Sequence, residues 1–196
     1  MKVLHFILGR ASQNTSNGVN KVIGGLAKHG NKQGHTVTVV GLSSSQAEDY
    51  ELIKRDGFEV QSFKSFKSGA FKEIKKTVGK YDIVHLHSVW NSYNLAVASH
   101  LRKIKKPYVI TAHAGLSEDR LKQSRYWLKL FYHHFFQKKM FDNAAGVHAL
   151  TKEESSVLRL HTENKNIFVI NNGQDLDGVV LKSKEYNASK DIITLG

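Results

Sequence analysis

Read as a string of apolar and polar positions, the chain alternates between two patterns. Short apolar runs at Lys2–Leu8, Thr36–Val40, Phe58–Phe63, Ile83–Leu86, Tyr108–Thr111, Ala145–Leu150 and Asn166–Ile170 predict strands. Between them lie stretches with helical spacing. Val19, Val22, Ile23, Leu26 and Ala27 fall on one helical face and predict a helix over 18–33, with Asn17 as its N-cap and Gly34 as its stop. A polar stretch around 46–54 predicts a short helix, and Phe71, Ile74 and Val78 predict a basic amphipathic helix over 70–78 that covers the sheet, with membrane binding as the alternative. In Glu118–Phe141, Leu121, Leu128, Phe131 and Phe135 form a stripe widened by Trp127, Leu130 and Phe141. That pattern predicts a long helix burying the stripe, with Arg120, Lys122, Arg125, Lys129, Lys138 and Lys139 on its outer face. Thr151 with Glu154 reads as a capping box opening a helix over 152–161.

Strands alternating with helices from residue 2 to 170 predict an α/β fold, a doubly wound parallel sheet with right-handed crossovers. Asn171-Asn172-Gly173 is a turn signal, 177–190 reads as a linker, and Asp191–Leu195 reads as the first strand of a further unit. The expected organisation is therefore a domain over 1–176, a linker over 177–190 and the start of a second domain over 191–196.

The stretch 81–115 organises the rest. Its two apolar runs flank one helical segment and end in histidines: His85 and His87 close the first, and His113 lies just past the second. Open α/β sheets bind ligands at the carboxyl ends of their strands, so these side chains are expected at a cleft. Three histidines near one edge suggest a metal on counting alone.

Composition narrows the chemistry. The chain has no cysteine, which excludes disulfides, thiolate nucleophiles and cysteine-bound metals. No run approaches the ~20 apolar residues of a membrane span, and a cytoplasmic location is the simple reading. The net charge of +12 favours an anionic partner, unless it merely solvates the surface. Gly18, Gly24 and Gly25 lack the spacing of a dinucleotide fingerprint, and Gly41-Leu42 stands where an acidic residue would hold a ribose. A nucleotide-cofactor oxidoreductase is thereby disfavoured. No nucleic-acid motif is present. The start of helix 18–33, at Asn17 and Gly18, is a candidate anion site, since a helix N-terminus presents unpaired N–H groups; an ordinary capped helix is the alternative.

Several stretches, taken in order, resemble the N-terminal half of family 4 of the retaining glycosyltransferases. They are Ser16-Asn17-Gly18-Val19, Gly34–Val40, Asp82–His87, Pro107–His113, Val169–Asp175 and Ile192–Gly196. The sequence departs from the family pattern at Asn17, which replaces a glycine, and at Asn171, which replaces a proline. The resemblance implies a GT-B enzyme whose N-terminal half is a Rossmann-like sheet with helices on both faces. It implies transfer of a sugar from a nucleotide-sugar donor to a glycan or lipid-linked acceptor in polysaccharide or glycolipid assembly. No metal or other cofactor is required, and the isolated half is expected to be inactive.

The resemblance also implies roles. His113 matches the histidine beside the donor sugar, and Asn17 and Gly18 open the loop at the donor phosphates. His87, Ser88 and Trp90 are expected on the acceptor side, while His85 receives no role. Arg120, Arg125 and Lys129 are candidates for anionic headgroups at the inner face of a membrane. The competing reading is a basic α/β module that binds nucleic acid or anionic membrane without catalysis.

Overall fold

In the computed structural model, residues 1–10, 18–42, 57–63, 68–117 and 126–173 are described. Seven strands form one sheet: β1 (Lys2–Arg10), β2 (Thr36–Leu42), β3 (Glu59–Phe63), β4 (Ile83–His87), β5 (Tyr108–Thr111), β6 (Gly146–Ala149) and β7 (Ile167–Val169). Their order is β3-β2-β1-β4-β5-β6-β7, and every neighbouring pair is parallel. The direction of growth reverses between β1 and β4, which is where a doubly wound sheet opens its crevice.

The helices are α1 (Gly18–Lys32), α2 (Ser68–Val78), α3 (Ser92–Lys103), α4 (Tyr126–Tyr132), a π-helical turn at His133–Gln137, α5 (Lys138–Asp142) and α6 (Lys152–His161). The predicted 118–141 helix is thus seen from Tyr126, interrupted by the π turn. Local chemistry sets several ends. After α1, Gly34 adopts φ 82° while its N–H donates to Asn31 O and that of His35 donates to Gly30 O, so a left-handed residue closes the last turn. Asn91 opens α3 by accepting from Asn94 N at 2.7 Å, and Thr151 opens α6 by accepting from Glu154 N at 3.1 Å.

Alternation along β1 divides the core. Leu4 and Phe6 join Val84, Leu86, Tyr108 and Ile110 on one face, covered by Ile74 of α2, Leu101 of α3, Phe141 of α5 and Leu158 of α6. Ile7 joins Val37, Val39 and Val60 on the other, covered by Ile23 and Ala27 of α1. As expected, α2 lies on the sheet, with Ile74 and Val78 fully buried.

Two expectations of burial fail. Leu26 points outward from α1, 41% exposed. More consequentially, the stripe read as core in 118–141 faces away from the sheet: Trp127 is 79% exposed, Leu128 58%, Phe131 54% and Phe135 58%. The inward face is instead His133, Gln137 and Met140, and of the expected stripe Phe141 alone among the described residues is fully buried. Periodicity locates an apolar stripe but does not say which neighbour it meets, and the π turn shifts the face that follows it. Tyr108 Oη fixes the result by donating to Met140 O at 2.6 Å. The predicted 46–54 helix, the linker at 177–190 and the strand at 191–196 lie outside the described residues.

Candidate functional site

The carboxyl ends of β4 and β5 carry the unusual backbone. Ser88 (φ 70°), Trp90 (φ 63°), His113 (φ 51°) and Ala114 (φ 56°) are all left-handed without being glycine. Such residues cost energy and persist where surrounding contacts hold them, commonly at functional sites. The contacts are explicit. Ser88 N donates to Thr111 O at 2.9 Å, carrying the β4–β5 pairing one step further. Asn94 Nδ2 donates to both His87 O (2.9 Å) and Ser88 O (2.8 Å). Trp90 Nε1 donates to Gly115 O at 2.6 Å, which ties the two loops together. A Cβ on Gly115 would sit 2.2 Å from Val89 Cγ2, so only glycine fits there.

Glu154 completes the frame. Its Oε1 accepts from Ala114 N and its Oε2 from Leu150 N, each at 2.7 Å. Half of the predicted capping box is therefore present, because Thr151 caps the helix, while the glutamate reaches across to the loop of His113. The sequence pattern carried no signal of that second use.

Five histidines line one face of the sheet beneath these loops. His5 pairs in register with His85, His87 with Thr111, and Thr111 with His148, so all point the same way. Two chains of hydrogen bonds result. His5 Nδ1 lies 3.0 Å from His87 Nε2, and His87 Nδ1 lies 3.0 Å from His113 Nε2. In the second chain, Ile170 O can only accept, so His148 Nε2 donates to it at 2.8 Å. The Thr111 hydroxyl then donates to His148 Nδ1 (2.9 Å) and accepts from His85 Nε2 (2.7 Å).

Burial keeps the rings of His5, His85, His87 and His113 neutral. It pushes His5 down to about 4, and His113 also to about 4, although the nearby Glu154 carboxylate partly opposes the latter. His85 and His87 lie well below the usual histidine range, through burial first and then through the other imidazoles. His5, His85 and His87 present ligand atoms within 4.8 Å of one another, so among the described residues this trio is the set that could hold a metal ion. Each already has a hydrogen-bond partner in the ladder, which an ion would have to displace.

The predicted residues are distributed as follows. His113, His87, Ser88 and Trp90 come together at the β4 and β5 edge. His87 is fully buried between His5 and His113, while Ser88 and Trp90 are half-buried. Gly18 is exposed at the start of α1, and a Cβ there would meet nothing within 4 Å. Lys129 lies half-buried on α4. Asn17, Arg120 and Arg125 lie outside the described residues.

Sequence reasoning missed Gln137. Fully buried on the π turn, it accepts from Trp90 N through Oε1 at 3.4 Å and leaves Nε2 without a partner. Asn94 Oδ1, Tyr132 Oη and His133 Nδ1 are likewise buried without partners. Both Tyr132 and His133 place their rings within 6.4 Å of Trp90. Unsatisfied polar atoms are costly when buried, so their concentration around one tryptophan marks a place for water or a hydroxyl-bearing ligand.

No curated protein matches the chain. Solved structures share the fold. HepE from Anabaena, in complex with UDP and glucose, is 17% identical with a TM-score of 0.65, covering 90% of this chain and 46% of its own. The UDP-GlcNAc 2-epimerase from Neisseria meningitidis bound to UDP-GlcNAc is 15% identical with a TM-score of 0.56, covering 88% and 47%. Sucrose-phosphate synthase from Thermosynechococcus elongatus is 11% identical with a TM-score of 0.54, covering 90% and 49%. The chain thus spans about half the length of the structures it matches. The family model of Glycosyltransferase Family 4 matches residues 16–177, spanning β2 to β7 and both loops of the site, and the chain belongs to that family.

Proposed function

We propose that this chain is the acceptor-side domain of a retaining glycosyltransferase that moves a sugar from a nucleotide-sugar donor to a glycan or lipid-linked acceptor, in polysaccharide or glycolipid assembly. The observation that carries the reading is His113. Its backbone is held left-handed at the end of β5, the following N–H is taken by Glu154, and its imidazole is kept neutral beside His87. A neutral imidazole in that position can hydrogen-bond a sugar hydroxyl without bringing a charge that the site would have to solvate. The shared fold with structures bound to UDP, glucose and UDP-GlcNAc supports a nucleotide-sugar donor.

In this reading the diphosphate approaches Asn17, Gly18 and the N-terminus of α1, where the helix dipole favours negative charge. The open space over Gly18 suits that approach. The bond from C1 to the diphosphate oxygen breaks, the diphosphate keeping the electron pair. The acceptor oxygen bonds to C1 on the same face and gives up its proton to the departing diphosphate oxygen. Ser88 and Trp90 face the acceptor, and His87 acts through His113 by fixing its ring. No metal is assigned to the reaction. Since the matched structures are about twice as long, we place the rest of the donor site in a second domain and expect these 196 residues alone to be inactive. Arg120, Arg125 and Lys129 remain the proposed contacts for an anionic acceptor at the inner face of the membrane.

The test uses the intact protein, a panel of radiolabelled nucleotide sugars and a membrane extract as acceptor source. Transfer with retained anomeric configuration, lost in His113→Ala, is the expected result. Binding of no nucleotide sugar, or transfer indifferent to His113, would overturn the reading.

A further inference from the structure

The histidine ladder contains a constellation that sugar transfer does not use. His85 and His87 stand two residues apart on β4 and so share a face of the sheet, and His5 lies opposite His85 in the β1–β4 register. Both strands are interior: β1 runs between β2 and β4, and β4 between β1 and β5. Three imidazoles are thereby held on backbone that is paired on both sides. Their ring centroids form a triangle of 4.0 Å (His85–His87), 5.2 Å (His5–His85) and 5.2 Å (His5–His87).

One nitrogen from each ring lies within 4.8 Å of the other two. His5 Nδ1 and His87 Nε2 face each other at 3.0 Å. Two imidazole nitrogens on a tetrahedral zinc ion stand about 3.3 Å apart, given bonds of roughly 2.0–2.1 Å, so the pair has to open by only about 0.3 Å. A cation there replaces one hydrogen bond and satisfies both nitrogens. If His85 turns from Thr111 to join them, the threonine hydroxyl keeps His148 Nδ1 as its acceptor, and no buried polar atom is orphaned. His148 itself stays out, since Thr111 and Ile170 O occupy both of its nitrogens. His5 and His87 are buried and His85 is half-buried, so the triangle opens on the side of His85, where water can complete the coordination. The donors are all imidazole. That suits zinc, cobalt, nickel or copper, whereas magnesium and calcium take oxygen ligands.

We propose that His5, His85 and His87 bind one divalent cation of the zinc class, and that this ion sets the hydrogen-bonding state of His113. Ligated through Nε2, His87 carries its hydrogen on Nδ1 and donates it to His113 Nε2, 3.0 Å away. His113 then keeps its own hydrogen on Nδ1. Hydrogens move between ring nitrogens and none is released. The ion takes no part in breaking the sugar bond and reaches the site only through His87. Cation binding needs no nucleotide sugar, so the proposal does not rest on the glycosyltransferase reading.

The experiment strips the intact protein with EDTA and titrates it with zinc, cobalt or magnesium chloride. One zinc per chain, a melting temperature that rises with zinc, and the intense visible absorption of tetrahedral cobalt are expected, with no response to magnesium. His85→Gln can still bond Thr111, so its metal-free stability should hold while zinc binding weakens at least tenfold; His5→Gln should weaken it as much. His134→Gln, which alters an exposed ring on the π turn, should bind zinc as the wild type does. Nitrogen-15 spectra of the imidazoles should show His113 with its hydrogen on Nδ1 in the zinc form. No zinc binding, a six-coordinate cobalt spectrum, or binding untouched by His85→Gln, which would mean an adventitious ion only, would each overturn the site. An His113 tautomer indifferent to zinc would overturn its link to the sugar site. Zinc binding with no nucleotide-sugar binding would keep the cation site and remove the enzyme reading; sugar transfer with no zinc binding would do the reverse.

Discussion

His87 Nδ1 and His113 Nε2 lie 3.0 Å apart, so the imidazole at the open edge of the sheet shares a hydrogen with one buried inside it. His87 Nε2 in turn lies 3.0 Å from His5 Nδ1. A neutral imidazole donates through one nitrogen and accepts through the other, so fixing the tautomer of any one of the three fixes the others. The hydrogen-bonding role that His113 offers a ligand is therefore set from two strands away.

The ladder makes the fold sensitive to acid. The folded-state values of His5 and His113, about 4, lie below the ordinary value of 6.5, so between those limits the unfolded chain binds more protons. Stability therefore rises with pH across that window and is lost as pH falls from 6.5 towards 4. His5 alone should cost roughly 3 kcal/mol over the full window. Urea titrations between pH 7.5 and 4.5 measure this; a midpoint that does not move would contradict the neutral ladder.

At His113, side chain and backbone can be separated. Asparagine tolerates the left-handed conformation better than alanine does. His113→Asn should keep near-native stability, whereas His113→Ala should lose about 1 kcal/mol. Both should lower kcat at least tenfold if the imidazole contacts the donor. Thermal melts beside transfer rates give the answer, and an active His113→Asn would move the role to the backbone.

Gly115→Ala should be among the most damaging single changes in the site. The new methyl meets Val89 Cγ2 at 2.2 Å and Ala112 O at 3.0 Å, so the β4 loop must shift. Overpacking of this kind costs about 1–3 kcal/mol. The bond from Trp90 Nε1 to Gly115 O should break as well, and a wild-type melting temperature and tryptophan spectrum would refute the account.

Glu154→Gln separates charge from geometry. The amide oxygen can still accept from one N–H, but the amide nitrogen cannot accept from the other, leaving either Ala114 N or Leu150 N unpaired. A loss of about 1–3 kcal/mol follows. Loosening of the His113 loop should show as a fall in kcat larger than any rise in acceptor KM.

Gln137→Met tests the polar pocket behind Trp90. It removes the unpartnered Nε2 but also the acceptor for Trp90 N, so a loss of up to about 1–3 kcal/mol is expected, offset in part by the polar atom no longer buried. Acceptor KM should rise several-fold with donor KM unchanged; an unaltered acceptor KM would leave the pocket to water.

Much of this molecule was legible from side-chain type and spacing alone. Apolar runs of strand length, alternating with helical stretches, specify a doubly wound parallel sheet because period and length are local properties. Gly34 marked the end of α1, and Thr151 the start of α6, for equally local reasons. The histidines at the ends of β4 and β5 were visible too, since a strand that ends in polar residues delivers them to the sheet edge. Spacing could not tell which face of 118–141 turns inward. That depended on Tyr108 holding Met140, on the π turn, and on Trp90 offering an N–H to Gln137. Nor could it bring His5 beside His87, or carry Glu154 across to Ala114, because these meetings follow from strand order and register. Only the tertiary structure decided them: they join residues about 30 or more positions apart, where no local pattern carries information about the partner.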